Sequence, residues 1–242
     1  MKAAVITGVS RGLGEALAAE LLARGYTVTG IGRASAGRLN GVHYHFAPCD
    51  LADIASIESS LDPLFRSIAA ARPQSVCLIN NAATAEPVGA LGTFDAGAVA
   101  DALSVNLVAP VVLANMFVRA FARVRASSLL INVSSGLAER ALPGTGPYSI
   151  AKSALEMLTR QIVADAQGTG LRAISVRPGV IDTGMQAFMR SQPPETFANV
   201  DMFRDFHASG ALVPPDVVAA KIVDRLVEGA VENGRCYSYR DL

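Results

Sequence analysis

Apolar residues in this chain fall into short continuous runs that alternate with segments of helical spacing from one end to the other. The run Ala3-Ala4-Val5-Ile6 is unbroken, the pattern of a strand buried on both faces. Leu13, Leu17 and Leu21 then share one helical stripe, and the helix is expected to stop at Arg24-Gly25. Further strand-like runs lie at residues 27–31, 43–47, 75–79, 128–133 and 173–176. Helical spacing returns in Ile54, Ile57, Leu61, Leu64 and Ile68, in a helix from about residue 98 to 121 that Pro110 should kink, and in another from about Tyr148. Alternating β and α elements predict an α/β fold, a doubly wound parallel sheet with helices on both faces, in a single domain over residues 1–242.

Composition narrows the picture. The 242 residues suffice for one α/β domain with a large core. Lys plus Arg and Asp plus Glu both number 21, so nothing points to a nucleic-acid partner or an anionic membrane surface. The apolar stretch from Ala102 to Val118 is interrupted by Asn106, Pro110 and Asn115 and falls short of the ~20 residues a membrane span needs. It is expected to be a helix buried on several sides, at a subunit interface of a homo-oligomer (dimer or tetramer). Arg11 and Glu15 break any early apolar region, so no signal peptide is expected. Cys49, Cys77 and Cys236 are odd in number and lie within apolar runs, which suits free thiols in a reducing, cytoplasmic setting. His43, His45 and His207 lack companion ligands, and no metal site is expected.

Candidate chemistry concentrates in four places. Tyr148 and Lys152 are one helical turn apart, and an ammonium beside a phenol favours the phenolate, so the pair resembles a tuned proton donor. The turn Thr7-Gly8-Val9-Ser10-Arg11-Gly12-Leu13-Gly14 joins a strand to a helix, where bare backbone and a helix N-terminus can receive a phosphate. Ser135 ends a strand-like run, at the sheet edge where open α/β folds bind ligands. Asn106 stands four residues before Pro110, so its carbonyl loses the usual helical donor and a bound water is the expected replacement.

Together these residues resemble the short-chain dehydrogenase/reductase family over essentially the whole chain. The glycine turn from Thr7 to Gly14, Asn80-Asn81-Ala82-Ala83 after the fourth strand, and Arg177-Pro178-Gly179-Val180-Ile181-Asp182-Thr183 match its motifs in order, with Ala83 where the family usually has glycine. The resemblance implies a Rossmann-type fold, a nicotinamide cofactor and a catalytic tetrad of Asn106, Ser135, Tyr148 and Lys152. It places Gly8, Ser10, Arg11, Gly12, Leu13, Gly14, Asn81, Ala82, Tyr148, Lys152, Pro178 and Gly179 against the cofactor. Asp50 and Leu51 would meet adenine, and Ile181 and Thr183 the carboxamide. Tyr148 would protonate the alkoxide, Ser135 hydrogen-bond it, Lys152 lower the tyrosine pKa, and Asn106 link Lys152 to solvent through water.

The second strand ends in Gly32-Arg33, with no acid for a ribose 2′-hydroxyl and with a guanidinium for a 2′-phosphate, so Arg33, helped by Arg11, points to NADPH/NADP+. Residues 184–213 hold seven of the fifteen Phe and Met residues. That composition fits an adaptable apolar lid, two amphipathic helices burying one stripe each, or both. Pro178 to Gln186 and Ser209 to Pro214 are similar to the sepiapterin reductase and benzil reductase branch, which implies a small-molecule dicarbonyl substrate. Ser238 aligns with the acid that anchors a pterin in sepiapterin reductases, which favours a diketone. An alcohol or steroid dehydrogenase and a non-catalytic NADP-sensing regulator are the alternatives.

Overall fold

The computed structural model describes residues 1–124 and 126–242. Its strands are β1 (Lys2–Thr7), β2 (Tyr26–Gly32), β3 (Tyr44–Pro48), β4 (Ser75–Asn80), β5 (Ser127–Val133), β6 (Leu171–Arg177) and β7 (Cys236–Ser238). Its helices are α1 (Gly12–Ala23), α2 (Ile54–Ala70), α3 (Ala96–Leu103), α4 (Ala109–Phe121), α5 (Gly146–Asp165), α6 (Gly184–Arg190), α7 (Val200–Ala208) and α8 (Pro215–Ile222). All seven strands pair in parallel in the order β3-β2-β1-β4-β5-β6-β7, the doubly wound sheet expected. Alternate β1 side chains serve different cores. Ala4 and Ile6 join Leu17 and Leu21 of α1 and Ile222 of α8, while Ala3 and Val5 join Phe65 of α2 and Phe117 of α4. With both faces covered, both halves of the strand period must be apolar, which is why the runs are continuous. The strand order reverses between β1 and β4, and this opens a crevice at the carboxyl ends of the strands.

The kinked helix differs from expectation in an informative way. Proline lacks the N–H for an i−4 bond, yet the helix does not end. A π turn at Ser104–Val108 inserts an extra residue just before Pro110, and the Ala109 N–H donates to the Ser104 carbonyl five residues back. Ala96–Phe121 is therefore one helical run of 26 residues, longer than the sequence suggested and, by length and composition alone, enough to cross a bilayer. Only its second half, α4, enters the second core, where Leu113, Phe117 and Phe121 are buried and the Phe65 and Phe117 rings meet edge-on at 6.5 Å; Val108 and Val111 stay exposed.

Residues 184–213 leave the sheet and return to it at one point. The Asp182 N–H donates to the Val213 carbonyl and the Val213 N–H to the Val180 carbonyl, each at 2.9 Å. Between these tied ends, α6, α7 and the connection between them bury Met189, Phe197 and Val200 against Ala85, Val88 and Leu142. Phe197 is wholly buried and lies on Gly144, where even a methyl group would come within 2.6 Å of its ring. The segment is thus a pair of one-sided helices that bury one apolar stripe against the loops after β4 and β5.

Candidate active site

The glycine turn at the end of β1 is shaped by close approach. The Thr7 hydroxyl accepts the Asn81 and Ala82 N–H groups at 2.9 Å each, and the Asn81 amide donates to the Thr7 carbonyl, so the loop after β4 is stapled to β1. Gly8 has φ +75, and a methyl on Gly14 would lie 2.1 Å from the Gly8 carbonyl oxygen and 2.4 Å from the Asn81 amide nitrogen. Only glycine fits there. Leu13 is buried beneath the turn, Ser10 and Arg11 are exposed, and the Arg11 side chain at the N-cap of α1 makes no capping hydrogen bond among the described residues. A bare-backbone cradle at an uncapped helix N-terminus fits a dinucleotide pyrophosphate.

Further cofactor candidates ring this turn. Arg33 is exposed beyond β2, and among the described residues neither it nor Arg11 makes an ion pair, whereas nearby Arg38 pairs with Glu15. Leu51 is buried, while Asp50 is exposed and closes a local turn by accepting the Ala52 N–H at 3.0 Å. Across the crevice, Pro178 is buried, Gly179 turns with φ 82 and Ile181 is half-buried. Thr183, at the start of α6, lies against Gly12, where an added methyl would meet its side chain at 3.3 Å.

Ser135, Tyr148 and Lys152 converge at the ends of β5 and α5. Lys152 is buried, donates from Nζ to the Val133 carbonyl at 2.7 Å, and lies 5.6 Å from the Tyr148 ring centroid. Burial alone pushes its ammonium down to about 8. Tyr148 departs from the expectation of a lowered pKa. Burial raises it, and the opposing influence is a hydrogen bond with the Ser135 hydroxyl rather than the Lys152 charge. The Ser135 oxygen also accepts the Leu137 N–H at 3.2 Å, which fixes it at the mouth of the crevice.

Asn106 is fully buried at the π turn, and its side chain is committed. Its amide oxygen accepts the Thr84 N–H and its amide nitrogen donates to the Thr84 carbonyl, both at 2.8 Å. The clamp holds the Ala82-Ala83-Thr84 backbone over the crevice, a role the sequence pattern did not disclose because it depends on a contact across 22 residues. Ala83, the departure from the family pattern, is half-buried there. Gln186 was also missed. It is buried on α6, and among the described residues its amide oxygen has no partner, which suits a group that meets a ligand; no spacing or charge in the sequence marks it. Ser238 donates from its hydroxyl to Asp241 at 2.8 Å, so a carboxylate does stand beside this strand end, held by Ser238 itself.

A family model described as short chain dehydrogenase matches residues 2–194. Benzil reductase ((S)-benzoin forming) of Bacillus subtilis (strain 168) is 31% identical over 245 residues, covering 100% of this chain and 99% of that protein. Sepiapterin reductase of Rattus norvegicus is 27% identical, covering 98% and 96%. Among solved structures, KRED1-Pglu superposes with a TM-score of 0.85 at 24% identity, over 98% of this chain and 100% of that one.

Proposed function

The chain belongs to the short-chain dehydrogenase family, a group of oxidoreductases that use NAD(H) or NADP(H), and on that premise we propose that it is an NADPH-dependent reductase of a vicinal diketone or a related bulky apolar carbonyl compound. The observation that carries this reading is the convergence of the Ser135 hydroxyl, the Tyr148 phenol and the buried Lys152 ammonium beside the glycine cradle. The cofactor, when bound, supplies hydride to the carbonyl carbon. Ser135 donates a hydrogen bond to the carbonyl oxygen and stabilises the charge that develops on it. Tyr148 gives its proton to the same oxygen as general acid. Lys152 keeps a positive charge beside the phenol, and Asn106, besides clamping Thr84, offers its π-turn carbonyl to a water that resupplies the proton. Arg33 and Arg11, both without acid partners among the described residues, hold the 2′-phosphate.

The diketone is supported by the two benzil reductases among the relatives and by the apolar cover of Met189, Phe188 and Phe203 beside Val88. Asp241 is bound by Ser238 and stands 3.8 Å from Arg235, so its charge is engaged locally and not presented to a pterin. The assembled site also weighs against a purely sensory role. The proposed setting is a reducing cytoplasm with no nucleic-acid or membrane partner. The proposed assembly is a homo-oligomer through the exposed apolar positions Val108 and Val111 on one helix and Ile150 and Met157 on another.

The test is NADPH oxidation with an aromatic 1,2-diketone and its matching monoketone. The diketone should show the higher kcat/KM, because its second carbonyl activates the first. Turnover of neither compound nor of any member of a wider carbonyl panel would remove the reading.

A further inference from the structure

Behind the proposed catalytic side chains lies a polar knot that none of the assigned roles uses. Glu156 follows Lys152 by one turn on α5, and its carboxylate is largely buried. One oxygen accepts from Arg177 Nε at 2.8 Å and from Ser134 Oγ at 2.7 Å, with the Cys236 thiol at 3.4 Å. The other accepts from Arg177 Nη2 at 2.7 Å, which completes a bidentate pair. Each partner belongs to a different part of the site. Ser134 precedes Ser135 and also stands 3.3 Å from the Lys152 carbonyl oxygen, Arg177 precedes the Pro178-Gly179 turn, and Cys236 opens β7. The remaining Arg177 nitrogen reaches Glu139 in the loop after Ser135.

A planar fork against a carboxylate tolerates little sliding, so this pair sets how far along its axis α5 sits relative to the ends of β5 and β6. We propose that Glu156, held by Arg177, is a positioning residue that fixes the height of Tyr148 and Lys152 against Ser135 and the Pro178-Gly179 turn. This rests on the functional reading given above. Burial opposes the Glu156 charge, but the Arg177 and Ser134 hydrogen bonds outweigh it and hold the carboxyl below its ordinary range, so the fork stays ionised at neutral pH.

The test uses the full-length protein with Glu156→Ala, Arg177→Met and the milder Glu156→Asp and Arg177→Lys. At saturating NADPH, kcat should fall about 10- to 100-fold in the first two while the cofactor KM moves less than about threefold, with partial recovery in the milder pair. In a Tyr148→Phe background the same Glu156 change should lower the residual rate by less than about threefold, because no phenol remains to be positioned. Multiplicative losses in that double variant, or losses that track only thermal stability, would overturn the proposal. If the wild type turns over no carbonyl compound, the functional reading fails, and ultraviolet titration of Tyr148 against Tyr148→Phe decides this one. A phenol midpoint that shifts in Glu156→Ala supports positioning, and an unmoved midpoint sinks it.

Discussion

Burial keeps the Tyr148 phenol protonated well past neutrality, which is the state a proton donor requires, while the same burial drives Lys152 toward losing its charge near 8. The sign of the alkaline limb follows. As pH rises through about 8 the ammonium disappears before the phenol ionises, so kcat/KM for reduction in the free enzyme should fall above about 8 although Tyr148 still holds its proton. A pH-rate profile checks this, and a limb that begins only above 10 would assign it to Tyr148 instead. Replacing Tyr148 by phenylalanine should cost at least ~100-fold in turnover, the scale of a general acid, with cofactor affinity retained in a fluorescence titration. The proposed cofactor preference rests on one small residue and its neighbour. A Cβ added at Gly32 would meet nothing closer than 3.8 Å, so Gly32→Asp combined with Arg33→Ala should fold and shift preference from NADPH toward NADH. Loss of the charge-assisted phosphate contact is worth roughly 1.5–3 kcal/mol, read as a ten- to hundredfold change in relative KM. At this scale the candidate residues were legible through joint spacing, since Tyr148 and Lys152 stand out only beside the glycine turn, Asn106 and Ser135. That spacing gave the wrong direction for the Tyr148 pKa, because a neighbouring charge can be read from spacing whereas desolvation depends on residues that only the fold brings together.

Elements were legible wherever packing on both sheet faces imposed continuous apolar runs. β2 and β6 extend only one or two residues past the expected ends, because Gly32, Arg172 and Arg177 break the apolar run while the ladder continues through them. The three half-buried residues of β7 offer no such run, and α8 was likewise hidden behind Pro214-Pro215, a pair that marks a turn although the second proline can open a helix. The π turn could be located from Pro110 but not its purpose, which lies in the clamp on Thr84. Asn106→Ala removes both hydrogen bonds and leaves buried backbone groups without partners. It should lower stability by about 1–3 kcal/mol and slow turnover by more than thermal destabilisation explains, as measured by chemical denaturation alongside kcat.

On the scale of the whole molecule, four of the exposed large apolar residues fall in pairs on two helices. Val108 and Val111 share one face of their helical run, and Ile150 and Met157 share one face of α5, each between 38% and 56% exposed. Val111→Lys with Met157→Lys should convert an oligomer to a smaller species in sedimentation while leaving the sheet's circular dichroism intact. A wild type that sediments as a monomer would remove this role for the two faces. The tie between Val180, Asp182 and Val213 has a different kind of consequence. It makes the intervening segment topologically a closed loop, anchored through backbone atoms that any sequence can supply. Side chains inside the loop are therefore released from the task of holding the sheet together. Lineages built on this plan can rewrite what enters the crevice by drift or recombination within one contiguous stretch of coding sequence, without touching the residues proposed to move the proton.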